Sequence, residues 1–331
     1  MKRNYKLIKN FFLFFYFVFS ITLIVYIFSY YSLQKGKTYN LFWIKSIQQN
    51  LYWAGFAKSF SQNIDCVKFH KKLLYVPREG NCNFSNAEFN TNLFFTKHFR
   101  INENINKLEN TDAIAVIGDS VTMGWGVNNS ETFSAIIEKK FNKKVFNFGV
   151  AGYGTHRQII RFIESPYYKK INKVILQYHF NDLQENRSFD DNKFYSYNEF
   201  DSLTKKVKLT NFEKAFFALR KFKTSFRMFY RDFKDLFIIK KNPDFSLHLK
   251  KVLKTLEKYN YLDGKEILFF YVNSHNLKFD GYETGKIKNI EFIDVNLNTK
   301  EHFFIVDDHL NSKGHEELAK QIWKNIQEKN W

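Results

Sequence analysis

Cysteine is nearly missing from this chain of 331 residues, which contains only Cys66 and Cys82. The two do not form a Cys-x-x-Cys pair, and no set of His, Asp and Glu has zinc-ligand spacing, so the sequence predicts no metal site. No motif requires a cofactor, and we expect none. In an oxidising compartment Cys66 and Cys82 can pair as a disulfide. The alternative is two unrelated buried thiols, and the sequence leaves both open.

Acidic residues are also in deficit, with 33 Asp and Glu against 51 Lys and Arg, which gives a formal net charge of +18. Such an excess favours an acidic partner, such as nucleic acid, anionic lipid or anionic glycan. Lysine is nevertheless spread along the whole chain with Asn, Phe and Tyr, which indicates a general compositional bias. Because no short basic cluster resembles a nucleic-acid-binding motif, we expect no nucleic-acid partner.

Charge is absent from one long stretch, Asn10 to Ser32, which is crowded with Phe, Leu, Ile, Val and Tyr. Its roughly 23 residues span about 30 Å as a helix, the thickness of the hydrocarbon layer. Four basic residues precede the stretch, and only Lys35 and Lys37 follow it closely. The positive-inside rule therefore predicts a cytoplasmic tail at 1–9, a single-pass anchor at 10–32 in the cytoplasmic (inner) membrane, and a periplasmic remainder.

A cleaved signal peptide is the alternative to this anchor. Its apolar region would be shorter, and a small-x-small cleavage site should follow it. Here the run is long and ends in Phe-Ser-Tyr-Tyr-Ser, which is a poor cleavage site. The sequence therefore favours an uncleaved anchor, and no second run of comparable length follows.

The remainder divides into a connecting region and a larger domain. Residues 33–110 hold both cysteines and are interpreted as irregular and partly helical. From 111 to 331, short apolar runs alternate with amphipathic stretches, which predicts a parallel sheet covered by helices on both faces. The predicted strands are Ala113–Ile117, Val145–Phe148, Val174–Tyr178, Ile267–Val272 and Glu291–Val295, and the predicted helices are Glu131–Phe141, Arg157–Glu164 and Lys313–Gln327.

A helical insertion at about 186–263 interrupts this domain. Within it, Phe212–Lys241 is rich in both Phe and basic residues, and five of its phenylalanines recur at the spacing of one helix face. Three interpretations stay open. The helix packs on the domain, lies on the membrane surface as a basic amphipathic helix, or forms a lid over a substrate site.

A candidate nucleophile stands at the end of the first predicted strand, in the run Gly118-Asp119-Ser120. The carboxyl ends of parallel strands are where such sheets bind ligands. A serine there lies close to the backbone amides that follow, and these can stabilise the negative charge that develops on a carbonyl oxygen under attack. A Gly-Asp-Ser turn alone is weak support, because any such turn matches by chance.

Three further motifs follow in order, each after a predicted strand. The segment 147–155 reads N-x-G-x-x-G and contains Gly152, whose amide can be exposed because glycine lets the backbone approach a ligand closely. Asn181 follows the third strand, and its side-chain amide can donate to an oxyanion. Asp307 and Asp308 precede His309 near the C-terminus, where a carboxylate can orient the imidazole and stabilise its charged form.

These four blocks resemble those of the SGNH (GDSL-like) hydrolase superfamily over residues 113–328, with the insertion unmatched. The resemblance implies a three-layer α/β/α fold with a flavodoxin-like parallel sheet. It implies that Ser120 is the nucleophile, that His309 is its general base and that Asp307 orients His309. The implied oxyanion hole consists of the amides of Ser120 and Gly152 and the side chain of Asn181.

Two positions depart from the family pattern. His179 stands where the third block usually has glycine, so a side chain can narrow the oxyanion hole. The usual acid position, three residues before the histidine, is Val306. Asp307 is the expected substitute because its spacing resembles the acetyltransferase-like branch of the superfamily, with Asp308 as the second choice. Asp182 is a further candidate, interpreted as supporting its block through hydrogen bonds.

The resemblance implies two-step acyl transfer, in which an ester gives its acyl group to the serine and then to water or to a sugar hydroxyl. The first outcome is an esterase and the second an O-acyltransferase. The predicted location implies an acylated glycan or lipid as substrate, outside the cytoplasm. The alternative is a catalytically inactive glycan-binding protein with the same cleft, which the departures at His179 and Val306 keep open.

Overall fold

A computed structural model of the chain describes residues 2–102, 113–188, 193–205, 246–259, 264–272 and 289–328. It opens with helix α1, Lys2–Gln34. The stretch Lys9–Gln34 is long and apolar enough to cross a membrane. Its first turns expose their apolar side chains along Phe11–Phe19, as expected for a helix surrounded by lipid.

The connecting region is more regular than the sequence predicts. It contains helix α2 (Phe42–Leu51), one turn of π-helix (Tyr52–Phe56) and two antiparallel hairpins. The hairpin strands are β1 (Val67–His70), β2 (Leu74–Pro77), β3 (Gly80–Asn86) and β4 (Phe89–Phe95). The prediction of an irregular segment was wrong here, because β3 and β4 contain several Asn residues, which have low intrinsic β-propensity.

A disulfide joins Cys66, directly before β1, to Cys82 in β3. Both cysteines are buried in one apolar cluster that contains the inner face of the hairpins. Phe84 and Phe89 of the second hairpin pack in that cluster against Trp125 of the following domain. The two hairpins are therefore part of the same core as the residues that follow Ser120.

Five parallel strands form the central sheet, and the predicted fold class is confirmed. They are β5 (Ile114–Ile117), β6 (Val145–Asn147), β7 (Lys173–Tyr178), β8 (Glu266–Tyr271) and β9 (Ile290–Ile293). Their spatial order is β6-β5-β7-β8-β9, so the first sheet strand in the chain lies second. This is the flavodoxin-like order, in which the chain reverses direction across the sheet between the first and third strands.

Helices cover both faces because consecutive strand residues point to opposite sides. Ala115 and Ile117 face one cluster with Ile159, whereas Ile114 and Val116 face another. Helices α5 (Thr155–Ile163) and α8 (Ser246–Tyr259) line the first face, and α4 (Phe133–Phe141) and α9 (Ser312–Glu328) line the second. Shorter helices are α3 (Ser120–Met123), α6 (Asp182–Ser188) and α7 (Tyr197–Thr204).

The insertion is described in part. Helices α7 and α8 belong to it, and α8 contributes Leu249, Val252 and Leu256 to the core. The predicted Phe-rich helix at 212–241 lies outside the described residues, so its three interpretations stay predictions.

Candidate active site

Ser120 is the first residue of α3, at the carboxyl end of β5. Asp119 caps this helix, because its carboxylate accepts a hydrogen bond from the amide of Val121 at 3.1 Å. The amide of Asp119 in turn donates to the side-chain oxygen of Gln177, on the neighbouring strand β7, at 3.0 Å. The sharp turn into α3 is thus fixed from both sides, and it directs the Ser120 hydroxyl out of the sheet.

Asn147 and Gly149 of the second block contact the backbone of α3. The Asn147 side chain donates to the carbonyl of Thr122 at 2.7 Å and accepts from the amide of Gly149 at 3.0 Å. A Cβ on Gly149 would lie 2.2 Å from the backbone nitrogen of Met123. Glycine is therefore required there by the close approach of two backbones.

The structure brings Ser120, His309 and Asp307 together in a single chain of hydrogen bonds. His309 Nε2 lies 2.8 Å from Ser120 Oγ, and His309 Nδ1 lies 2.5 Å from Asp307 Oδ1. The backbone amide of His309 also donates to Asp307 Oδ1, at 3.2 Å. These distances allow the imidazole to take the serine proton while the carboxylate fixes its tautomer and orientation.

The second oxygen of Asp307 is bound by two aromatic side chains. Tyr52 donates its hydroxyl to Asp307 Oδ2 at 2.5 Å, and Trp125 donates its indole N–H at 2.9 Å. The Trp125 ring also stacks on the His309 ring, with centroids 4.5 Å apart. Both oxygens of the Asp307 carboxylate therefore accept hydrogen bonds, and Asp307 is held in one orientation.

Glu88, in the turn between β3 and β4, supports the acid from its backbone side. Its carboxylate accepts from the amides of Ile305, Val306 and Asp307, each at 2.8 Å. Three charge-assisted hydrogen bonds fix the loop that carries the acid and base. The turn of the second hairpin thus helps to build the site, and this contribution was not predicted.

Arg100 braces the loop after α3. It is fully buried, and its guanidinium donates to the carbonyls of Met123, Gly124 and Val127 at 2.5, 2.8 and 2.7 Å. Burial lowers the pKa of Arg100 to about 9. Because this loop carries Trp125, the arginine positions the ring that contacts His309 and Asp307.

Of the two acid candidates, Asp307 has the geometry of a triad acid. The Asp308 carboxylate lies 3.6 Å from His309 Nδ1 and its side chain is 65% exposed, whereas that of Asp307 is fully buried. A buried carboxylate keeps its field on the imidazole, and an exposed one is screened by water. His315 lies elsewhere, buried against α4, where its Nδ1 accepts from the amide of Phe133.

Each member of the pair His309 and Asp307 shifts the pKa of the other, and the two shifts have opposite directions. Burial alone would lower the pKa of His309, but the charge of Asp307 and the hydrogen bond to it outweigh burial, and the pKa is raised. Burial alone would raise the pKa of Asp307. The His309 charge and the hydrogen bonds from His309, Tyr52 and Trp125 outweigh that, and the pKa is lowered. Asp307 is therefore ionised at neutral pH.

A cleft of about 970 Å³ lies above Ser120, and all three groups of the expected oxyanion hole line it. Gly152 has φ +81°, a left-handed conformation that favours glycine, and a Cβ there would lie 2.7 Å from the Tyr75 hydroxyl. Asn181 follows β7, the neighbour in the sheet of β5, the strand that precedes Ser120. Ser120, Gly152 and Asn181 thus face the same space, and their roles as oxyanion donors remain a prediction.

His179 and Asp182 lie on either side of Asn181 in the third block. His179 lines the cleft, with Nδ1 3.9 Å from a carboxylate oxygen of Asp119. Asp182 is buried and accepts from Thr155 at 3.1 Å and from Gln158 at 3.3 Å. Burial, together with the charges of Asp119 and Glu185, raises the pKa of Asp182 well above its usual range. These contacts fit the predicted supporting role of Asp182.

One group of donor atoms among the described residues has the spacing of a cation site, namely Asp307, Asp308 and His309. The Asp307–His309 contact of 2.5 Å is a hydrogen-bond distance, which requires a proton between the two atoms. Two ligands of one metal would both have to be free of that proton. The group therefore fits an acid–base pair better than a cation site.

Similarity to known proteins is found among solved structures. No protein-family model matches the chain, and no curated protein matches it. One similar solved structure is a candidate lipolytic protein of the G-D-S-L family from Desulfitobacterium hafniense DCB-2. It has 14% identity and a TM-score of 0.30, and the match covers 63% of this chain and 98% of that one.

A second similar structure is a candidate acylhydrolase from Bacteroides fragilis NCTC 9343. It has 13% identity and a TM-score of 0.28, and the match covers 67% of this chain and 89% of that one. Scores this low carry no argument about activity. The sheet order is flavodoxin-like, and the case for function depends on the site itself.

Proposed function

We propose that the protein is a membrane-anchored serine esterase or O-acyltransferase of the SGNH type. One observation carries this proposal. His309 lies within hydrogen-bond distance of both Ser120 Oγ (2.8 Å) and Asp307 (2.5 Å), in the order that activates a serine. A binding protein has no need for a buried carboxylate held by two further donors behind the histidine.

The proposed reaction has two steps. His309 Nε2 takes the Ser120 proton as Oγ bonds to the ester carbonyl carbon, and the oxyanion is held by the amides of Ser120 and Gly152 and the side chain of Asn181. The carbon–oxygen bond to the alcohol then breaks, and the alcohol leaves with the proton from His309. Water or an acceptor hydroxyl, deprotonated by His309, then attacks the acyl carbon. The bond from that carbon to Ser120 Oγ breaks, and His309 gives its proton to Oγ.

The choice between water and a sugar hydroxyl in the second step decides between esterase and acyltransferase. We propose an acylated glycan or lipid as the substrate, at the periplasmic face of the inner membrane. The apolar helix α1, with basic residues before it, supports this location. The Cys66–Cys82 disulfide supports an oxidising compartment.

A fluorophosphonate probe tests the nucleophile directly, because it forms a stable bond only with an activated serine. We expect the full-length protein to be labelled, and Ser120→Ala and His309→Ala to lose labelling. Ser188→Ala, an exposed serine on α6, is the matched control and should label like the wild type. Equal labelling of the wild type and Ser120→Ala would remove Ser120 from the mechanism.

A catalytically inactive glycan binder is the competing function, and His179 in the cleft is the feature that favours it. Turnover of p-nitrophenyl acetate discriminates between the two. Acyl release that depends on both Ser120 and His309 supports the enzyme. No release by a folded protein that binds glycans would support the binder.

A further inference from the structure

The last turns of the membrane helix are packed into the domain. Tyr26, Ser29 and Leu33 of α1 are buried. Tyr26 and Leu33 share an apolar cluster with α2, with Tyr52 and with Val306. The anchor and the catalytic domain therefore meet in a packed contact rather than through a free linker.

Helix geometry sets the depth of this contact. A hydrocarbon layer of about 30 Å takes roughly 20 helical residues. Counted from Asn10, the first residue after the last basic side chain of the tail, such a layer ends near Ser29. The buried Tyr26 and Ser29 consequently lie at the outer edge of the membrane, and so does the domain surface that covers them.

That surface is directly connected to the triad. Tyr52, in the same apolar cluster as Tyr26, donates its hydroxyl to Asp307. Val306, also in the cluster, precedes Asp307 in the chain. The acid of the triad is therefore one residue away from the contact with the membrane helix.

Exposed apolar and aromatic side chains surround this contact. Leu41, Phe42 and Trp43 lie at the start of α2 and are exposed, Trp43 by 52%. Trp53, in the π-helical turn, is 44% exposed. Tryptophan concentrates at membrane–water interfaces because one part of its ring is apolar and another donates a hydrogen bond.

The same elements line the cleft. Lys45 and Gln49 of α2, together with Trp53, share its wall with Ser120 and His309. The Trp53 ring centroid lies 6.1 Å from that of His309. The cleft thus extends from the nucleophile to α2, the helix that shares an apolar cluster with the end of α1, and Lys45 can attract an anionic headgroup.

We propose that this cleft opens onto the outer leaflet and that the acyl donor is a membrane-resident lipid ester. Ester carbonyls of lipids lie between the acyl chains and the headgroups, at the outer edge of the membrane, where Tyr26 shares an apolar cluster with α2. Ser120 takes the acyl group, and the lipid alcohol leaves with the proton from His309. This proposal rests on the proposed serine acyl-transfer function and names the source of its acyl group.

Position is tested with the full-length protein in vesicles of phosphatidylcholine and phosphatidylglycerol whose acyl chains carry bromine. Bromine quenches tryptophan fluorescence only at short range. We expect Trp43→Phe to remove a large part of the quenching, and Trp323→Phe, which stacks on Phe141 between α4 and α9, to leave it unchanged. Equal quenching in the wild type and Trp43→Phe would overturn the proposal.

Substrate source is tested with two esters that share a leaving group. p-Nitrophenyl palmitate partitions into the vesicles, and p-nitrophenyl acetate stays in water. We expect Trp43→Glu to lower turnover of the palmitate by about tenfold, since burying one large aromatic at an interface is worth roughly that factor, and to leave the acetate unchanged. Phe194→Glu, an equally exposed aromatic beside Lys71, is the control and should change neither rate.

The two failures are distinguishable. If the wild type turns over neither ester, the proposed acyl-transfer function is wrong. If it turns over the acetate through Ser120 and Trp43→Glu leaves the palmitate rate unchanged, the acyl-transfer function is supported. The proposal that the cleft faces the membrane is then wrong.

Discussion

Tyr52→Phe is the most informative single change in the site. It removes one hydroxyl from a buried position and leaves the ring in place, so the packing around Tyr26 and Leu51 is preserved. Asp307 Oδ2 loses its 2.5 Å hydrogen bond and keeps the one from Trp125 at 2.9 Å. Asp307 still contacts His309, but it is held by fewer donors.

The expected loss follows from the strength of that bond. A hydrogen bond to a charged group contributes about 1.5–3 kcal/mol, and the remaining Trp125 bond favours the lower end of this range. About 1.5 kcal/mol of lost transition-state stabilisation corresponds to roughly a tenfold fall in kcat/KM. The Asp307 charge is also less neutralised, so the pKa of His309 should rise further and the pH profile should move to higher pH.

The assay is the pH dependence of kcat/KM for p-nitrophenyl acetate. Tyr197→Phe, which removes an exposed hydroxyl on α7, serves as the matched control and should match the wild type. A shift of the profile separates a positioning role from a loss of folded protein, which lowers the rate at all pH values alike. A kcat/KM within twofold of the wild type with an unmoved profile would refute the reasoning.

Three further predictions concern the acid, the base and the disulfide. Asp307→Asn should lower kcat by about 10³–10⁴-fold while Asp308→Asn stays within about threefold, and equal losses in steady-state assays would contradict the assignment. Activity should rise with pH with a midpoint above 6.5, because His309 must be neutral to act and its pKa is raised. As the pH rises through the same range, His309 loses its charge and with it the stabilising ion pair with Asp307, so the free energy of unfolding should fall. A rise in that free energy, measured by denaturant titration, would contradict the pairing. Reducing the Cys66–Cys82 disulfide, which closes a loop of sequence separation 16, should cost about 3 kcal/mol, and an unchanged unfolding free energy would contradict its stabilising role.

The parts of the site that sequence could predict are those carried by local motifs. Ser120 and His309 were predicted because each stands in a short motif, Ser120 at a strand end and His309 shortly before the last helix. The alternation of strands and helices predicted the parallel sheet. Asp307 was preferred over Asp308 on its spacing from His309 alone, since both precede the same histidine. Its burial and its hydrogen-bond distance to His309 now support that prediction.

The supporting residues could not be predicted because they meet the site only through the fold. Tyr52 reaches Asp307 across 255 positions of sequence, and Glu88 reaches the amide of Asp307 across 219. Neither belongs to a recognisable motif, and the hairpin turn that carries Glu88 has weak strand signals on both sides.

Chemical labelling shows whether folding places an activated serine beside His309. Peptide mass spectrometry after fluorophosphonate treatment should find a single adduct, on the peptide that contains Ser120. Treatment of His309→Ala under the same conditions should give almost none. An adduct on a different residue, or equal modification of Ser120 with and without His309, would contradict the account.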